Sequence, residues 1–221
     1  MTAPGPTELS AALRRQPLMA IVRLGSPEPA IEAADRLATA GVRVIEFSLA
    51  APGGLVALEA SRDLLAGRDV LIGAGTVRTE DDALAALGAG AQFLVSPGFS
   101  PAISEHARRI GVPYVPGAMT PTEVQAALDG GSALVKLFPA ATLGTAYVRD
   151  LLGPFPEARL LATGGISSAN AGDFMAAGAA AVAVAGALVN ERTMQDAGGL
   201  AAAAAELLAA VNTSRGEPVA D

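Results

Sequence analysis

Eight short apolar runs begin roughly 20 residues apart, helical patterns fill the gaps between them, and the runs are continuously apolar rather than alternating. Together these observations predict an α/β fold: a single (β/α)8 TIM barrel with a short N-terminal helix. The runs are Leu18–Arg23, Val42–Leu49, Val70–Gly73, Gln92–Ser96, Val112–Pro116, Ala133–Leu137, Arg159–Ala162 and Ala181–Ala185. A strand covered by helices on one side and by a packed interior on the other needs apolar residues on both faces. Repeated units of this kind build a parallel sheet, and eight of them suggest closure. An open doubly wound sheet is the alternative. No linker divides the 221 residues, so one domain is expected, with the barrel over about 17–212 and a flexible tail over 213–221.

The helix starts are marked by their chemistry. Ser26-Pro27 and Ser100-Pro101 each place a capping residue before a proline at the first helical position. Thr120-Pro121-Thr122-Glu123 adds a capping box, with Glu123 reaching back to the cap. Ala30, Ile31, Ala34, Leu37 and Ala38 form one apolar stripe. A short helix over Thr7–Arg14 precedes the barrel, and a last helix runs over about Ala197–Val211.

Composition removes several function classes. A net charge of −7 argues against a nucleic-acid partner. The absence of cysteine excludes disulfides and thiolate metal sites, and the single histidine, His106, rules out multi-histidine metal centres. No apolar run reaches the length of about 18 residues that a membrane span needs, and Met1 to Pro6 lacks the pattern of a signal peptide. The expected address is the cytoplasm, with no membrane partner.

Of fifteen basic residues, fourteen are arginines and one is Lys136. This chain uses arginine wherever a cation suffices, yet keeps one amine inside the apolar run Ala-Leu-Val-Lys-Leu-Phe-Pro. A guanidinium stays protonated and cannot form an imine; an amine can. Burial among apolar groups disfavours the ammonium form and frees the amine to attack a carbonyl. The alternative is a structural ion pair. Glu46, near the end of the second run, should point into the barrel by strand alternation. It is either the ion-pair partner of Lys136 or a general acid/base that shuttles protons through imine formation and C–C cleavage.

Active sites of these barrels lie at the C-terminal ends of the strands. The residues there include Arg23, Glu46 to Ala50, the glycine turn Gly73-Ala74-Gly75-Thr76 that ends the third strand, Ser96-Pro97-Gly98, Lys136 to Pro139, Thr163-Gly164-Gly165 and Gly186. Thr76 could donate to a substrate carboxylate, and Phe138 could pack over an imine carbon. Thr163-Gly164-Gly165-Ile166-Ser167 enters a helix, where bare backbone N–H groups make an anion site; the glycines could instead serve only the turn.

These residues resemble the 2-keto-3-deoxy-6-phosphogluconate aldolase family, which includes 6-phosphogalactonate and 4-hydroxy-2-oxoglutarate aldolases. The resemblance spans about Leu18 to Leu188. It is carried by Gly41-Val42-Arg43-Val44-Ile45-Glu46, Ile72-Gly73-Ala74-Gly75-Thr76-Val77, Phe93-Leu94-Val95-Ser96-Pro97-Gly98, Val115-Pro116-Gly117, Val135-Lys136-Leu137-Phe138-Pro139-Ala140 and Thr163-Gly164-Gly165-Ile166. It implies a class I, metal-free lyase with no cofactor beyond the covalent Schiff base. It assigns the imine to Lys136, the acid/base role to Glu46 and a place in the pyruvate pocket to Thr76. Pro97 and Phe138 match pocket walls, and Gly164 and Gly165 match the phosphate loop. It also implies a homotrimer.

Two departures stand out. The phosphogluconate enzymes carry an arginine in a Thr-Leu-Arg-Thr pattern where this chain has Ala50. The galactonate branch instead has an arginine at the position of Arg23, which could take over anion binding. The family's Gly-Ser at the eighth strand is replaced by Gly186-Ala187, so either backbone donors hold the phosphate or the substrate is an unphosphorylated 2-oxo acid. The rival functions are a phosphate-binding isomerase or synthase on the same barrel and a non-catalytic sugar-acid binder.

Overall fold

The computed structural model describes residues 6–213. Nine parallel strands form one sheet: β1 Leu18–Val22, β2 Val44–Ser48, β3 Leu71–Gly75, β4 Leu94–Val95, β5 Tyr114–Val115, β6 Gly117–Ala118, β7 Val135–Leu137, β8 Leu160–Thr163 and β9 Ala181–Val184. Their order is β5-β4-β3-β2-β1-β9-β8-β7-β6. The two ends of that order meet across Pro116: β5 lies within the expected fifth strand, Val112–Pro116, and β6 is an additional short strand just beyond it. Proline has no N–H to give to a ladder, so its flanks turn to different neighbours. Val115 O accepts from Ser96 N at 3.0 Å on one side, while Pro116 O accepts from Lys136 N at 2.8 Å on the other. The break is therefore also the closure of the barrel.

Helices lie between the strands as expected. Thr120 and Glu123 form the capping box, and the Ser100 hydroxyl caps its helix by accepting from Ile103 N. Ser26 differs: Pro27 opens its helix, but the Ser26 side chain makes no capping hydrogen bond. The stripe of that helix runs through Ala30, Ala33, Ala34, Leu37 and Ala38, with Ile31 only half-buried. The first helix spans Pro6–Arg15 and the last Gly199–Thr213. Thr213 thus ends a helix instead of starting the tail; the rest of that segment, 214–221, lies outside the described residues.

Strand parity divides the core in two. Leu18, Ala20, Val22, Ile45, Phe47, Val135, Leu137, Leu160 and Ala162 face the helices. Met19, Ile21, Val44, Leu161, Ala181 and Ala183 face the barrel interior and meet Leu9, Ala12 and Leu13 of the first helix, which plugs the N-terminal mouth. Burying each such leucine contributes about 1.5–3 kcal/mol. The same parity turns Glu46, Ser48, Lys136 and Thr163 inward nearer the other mouth, and all four are buried. The interior is thus apolar at one end and polar at the other, where the strands finish.

Candidate active site

One cavity of about 570 Å³ occupies the C-terminal mouth. Every residue given a candidate catalytic or binding role lines it: Arg23, Glu46, Thr76, Pro97, Lys136, Phe138, Thr163, Gly164, Gly165 and Gly186; the strand-end residues Gly73, Gly75, Ser96, Gly98 and Pro139 do not. Ala50 and Ala187, the two departures, line it as well.

Lys136 is central in β7, 7 % exposed, and paired with Gly117 of β6 and Leu161 of β8. Its Nζ lies 5.4 Å from the centroid of the Phe138 ring, within reach of a cation–π attraction. Phe138 itself is 43 % exposed and covers the mouth. Lys136 is buried by its neighbours but lines the cavity, which leaves an approach to the amine from the mouth.

Glu46 sits across the cavity in β2, between Ile21 of β1 and Gly73 of β3, and is 2 % exposed. Burial pushes its carboxyl well above the ordinary glutamate range, and the positive charge of Lys136 opposes that shift only in part. The ion pair raised as one reading is not formed: no contact within 4.0 Å joins the two side chains, and among the described residues the buried Glu46 Oε2 has no hydrogen-bond partner. A buried unpartnered carboxyl oxygen is costly.

The third strand was expected to end at Gly73 but continues to Gly75. Gly73 and Gly75 read as turn residues in the sequence. They are strand residues whose missing β-carbons make room for neighbours, the Phe93 ring over Gly73 and the Glu46 carboxyl over Gly75. Thr76 follows at φ +61°, a region that a β-branched residue rarely enters. Its Oγ1 lies 3.1 Å from Ser48 Oγ. Arg23 lies one residue beyond β1, exposed at the mouth and without a carboxylate partner among the described residues. Because Val22 pairs with Phe47, Arg23 runs alongside Ser48 and close to the segment that carries Ala50.

Gly164 and Gly165 both have positive φ, 94° and 72°, and a β-carbon on Gly164 would stand 3.0 Å from the Phe138 ring. Gly164 O accepts from Ala141 N at 3.0 Å, which ties this loop to the one after Lys136. The Thr163 hydroxyl turns back along its strand and donates to Leu161 O at 3.1 Å. Gly186 is exposed, and its carbonyl accepts from Asn190 Nδ2 at 2.8 Å. Sequence reasoning passed over Ser48 and Ser167 as individual site residues, although both line the cavity. The signal for Ser48 was its position two residues after Glu46, on the same strand face. Among the described residues no group of three or more His, Cys, Asp or Glu is placed to hold a metal ion.

The family model described as "Aldolase: KDPG and KHG aldolase" matches residues 9–204. The chain is 41% identical over 166 residues to the 2-dehydro-3-deoxy-phosphogluconate aldolase of Treponema pallidum, covering 75% of this chain and 78% of that one. Among solved structures, the native KDPGal structure superposes with a TM-score of 0.83 at 27% identity, over 90% of this chain and 96% of that one. The KDPG aldolase of Legionella pneumophila, with pyruvate captured as a covalent carbinolamine intermediate, superposes at 0.80 and 26% identity, over 91% and 97%.

Proposed function

The chain belongs to the KDPG and KHG aldolase family, and from that premise we propose that it cleaves a 2-keto-3-deoxy-6-phospho sugar acid reversibly, giving pyruvate and glyceraldehyde 3-phosphate, through a Schiff base on Lys136. The observation that carries this reading is the pairing of the chain's sole lysine, buried, with an unpartnered buried glutamate across one cavity.

Lys136 Nζ attacks the C2 ketone, forming a carbinolamine that loses water to an iminium. A base removes the C4 hydroxyl proton, C3–C4 breaks, and its electron pair moves into the iminium to leave an enamine while the aldehyde departs. The enamine takes a proton at C3, and water hydrolyses the imine to release pyruvate. Glu46 carries these protons. Its raised proton affinity suits the task, because a group that is readily protonated and deprotonated can serve as acid in one step and base in the next. Thr76 and Arg23 hold the substrate carboxylate, Pro97 and Phe138 wall the pocket and Thr163 shapes it. The backbone of Gly164, Gly165 and Gly186 receives the distal phosphate.

The replacement of serine by Ala187 favours a second reading of the distal end: a 4-hydroxy-2-oxoglutarate or other unphosphorylated 2-oxo acid as substrate. Pyruvate release from phosphorylated and unphosphorylated 2-keto-3-deoxy acids, compared by kcat/KM, tests the choice. A preference of about a hundredfold or more for the phosphorylated acid, the order that two lost charge-assisted hydrogen bonds imply, is expected. Equal values would overturn phosphate recognition.

We further infer a cytoplasmic homotrimer. An oligomer is supported by the likeness, at a TM-score of 0.84, to a cage built by fusing symmetric oligomeric domains. The cytoplasm is supported by the metabolic character of the family, and no described helix is long and apolar enough to cross a membrane.

A further inference from the structure

We infer that Ser48 is a positioning residue: its hydroxyl holds that of Thr76 in the direction that receives the substrate carboxylate. The inference rests on the reading above, in which Thr76 is a carboxylate donor.

Ser48 ends β2, is 2 % exposed and lines the cavity. Its Oγ lies 3.1 Å from Thr76 Oγ1, and neither hydroxyl has another protein partner among the described residues. Thr76 is held in the left-handed region by the sheet on both sides of it: Gly75 O accepts from Leu49 N at 2.8 Å, and Val77 N donates to Val95 O at 3.0 Å. Glycine or asparagine would occupy that backbone more easily. A threonine here sets a hydroxyl at the cavity wall at the expense of backbone strain.

Hydrogen-bond chemistry fixes the direction of the pair. A carboxylate only accepts, so Thr76 must donate to it. Its own oxygen then accepts, and the donor within reach is Ser48. The buried serine selects one of the three staggered positions of the Thr76 hydroxyl. Without it, Thr76 loses that orientation and binds the carboxylate less well. Proton transfer at Glu46 does not pass through the pair, so the loss falls on binding rather than on turnover.

The test uses pyruvate and borohydride, following the initial rate of adduct formation on Lys136 against pyruvate concentration. Ser48→Ala should raise the half-saturating pyruvate concentration about three- to tenfold, the factor that one net hydrogen bond carries, with the maximal rate within about twofold. Ser48→Cys, which keeps a side chain of similar shape but a weak donor, should show the same shift and stands in if the alanine variant does not fold. In a Thr76→Ala background, Ser48→Ala should add less than about twofold, because the partner is already gone. Half-saturation unchanged in both serine variants, or effects of Ser48→Ala and Thr76→Ala that multiply, would overturn the inference. If adduct forms on Lys136 but Thr76→Ala leaves half-saturation unchanged, the inference falls and the Schiff-base reading stands. If the wild type forms no adduct, the aldolase reading itself fails, and the inference with it.

Discussion

The carboxyl of Glu46 lies directly against the α-carbon of Gly75, so close that a β-carbon there would overlap Glu46 Oε1, Cδ and Cγ. β2 and β3 are in register at this point, with Glu46 opposite Gly73 and Ser48 opposite Gly75. The glycine therefore defines where the acid can sit. Gly75→Ala should push the carboxyl out of place, away from β3 and toward the cavity. The expected result is a kcat lower by about a hundredfold, the order of loss that a misplacement of about 1 Å causes, with a stability loss of about 1–3 kcal/mol from overpacking. Steady-state kinetics and denaturant unfolding check both; an unchanged kcat would mean that Glu46 is not held by this contact.

Glu46 also predicts a pH dependence. Its folded-state proton affinity is raised by burial, with the Lys136 charge only a partial offset. Above the ordinary glutamate range the unfolded chain has released this proton while the folded chain retains it. The folded state then binds more protons, and stability falls as pH rises through the window up to the folded value. Glu46→Gln, neutral at every pH, removes this contribution. The variant should gain stability relative to wild type on going from pH 5 to pH 8 while losing aldol cleavage. A stability difference between the two proteins that does not change with pH would contradict the shift.

In the proposed function Arg23 takes over the carboxylate binding of the family arginine that Ala50 replaces. It stands at the mouth, in the same cavity as Ala50, with no carboxylate partner among the described residues. Arg23→Ala should raise the KM for the 2-oxo acid about ten- to hundredfold, with kcat much less affected. Arg23→Lys should recover only part, since a point charge does not reproduce a planar two-pronged donor. An unchanged KM in Arg23→Ala would remove Arg23 from carboxylate binding.

Much of this was legible in the sequence because the barrel repeats a simple rule. Apolar runs named the strands, alternation sent Glu46 inward, the apolar run around Lys136 pointed to a buried amine, and both are found buried. The limits have physical causes. Gly73 and Gly75 were read as a turn, because a sequence shows that a β-carbon is missing but not that Phe93 and Glu46 occupy its place. The fifth strand was ended at Pro116 and β6 beyond it was missed, because the effect of the proline depends on which neighbours its two flanks meet. Ser48 was passed over, because a serine after a strand glutamate is unremarkable until Thr76, 28 residues away in sequence, lies within hydrogen-bond distance.

The central claim is that the Lys136 amine condenses with a ketone. Incubation with pyruvate and borohydride, followed by proteolysis and mass mapping, tests it most directly. A single reduced pyruvate adduct on the peptide that contains Lys136, absent from Lys136→Arg, is the predicted result. A protein that cleaves its substrate with no adduct at Lys136 would contradict the account, because some other group would then be stabilising the carbanion.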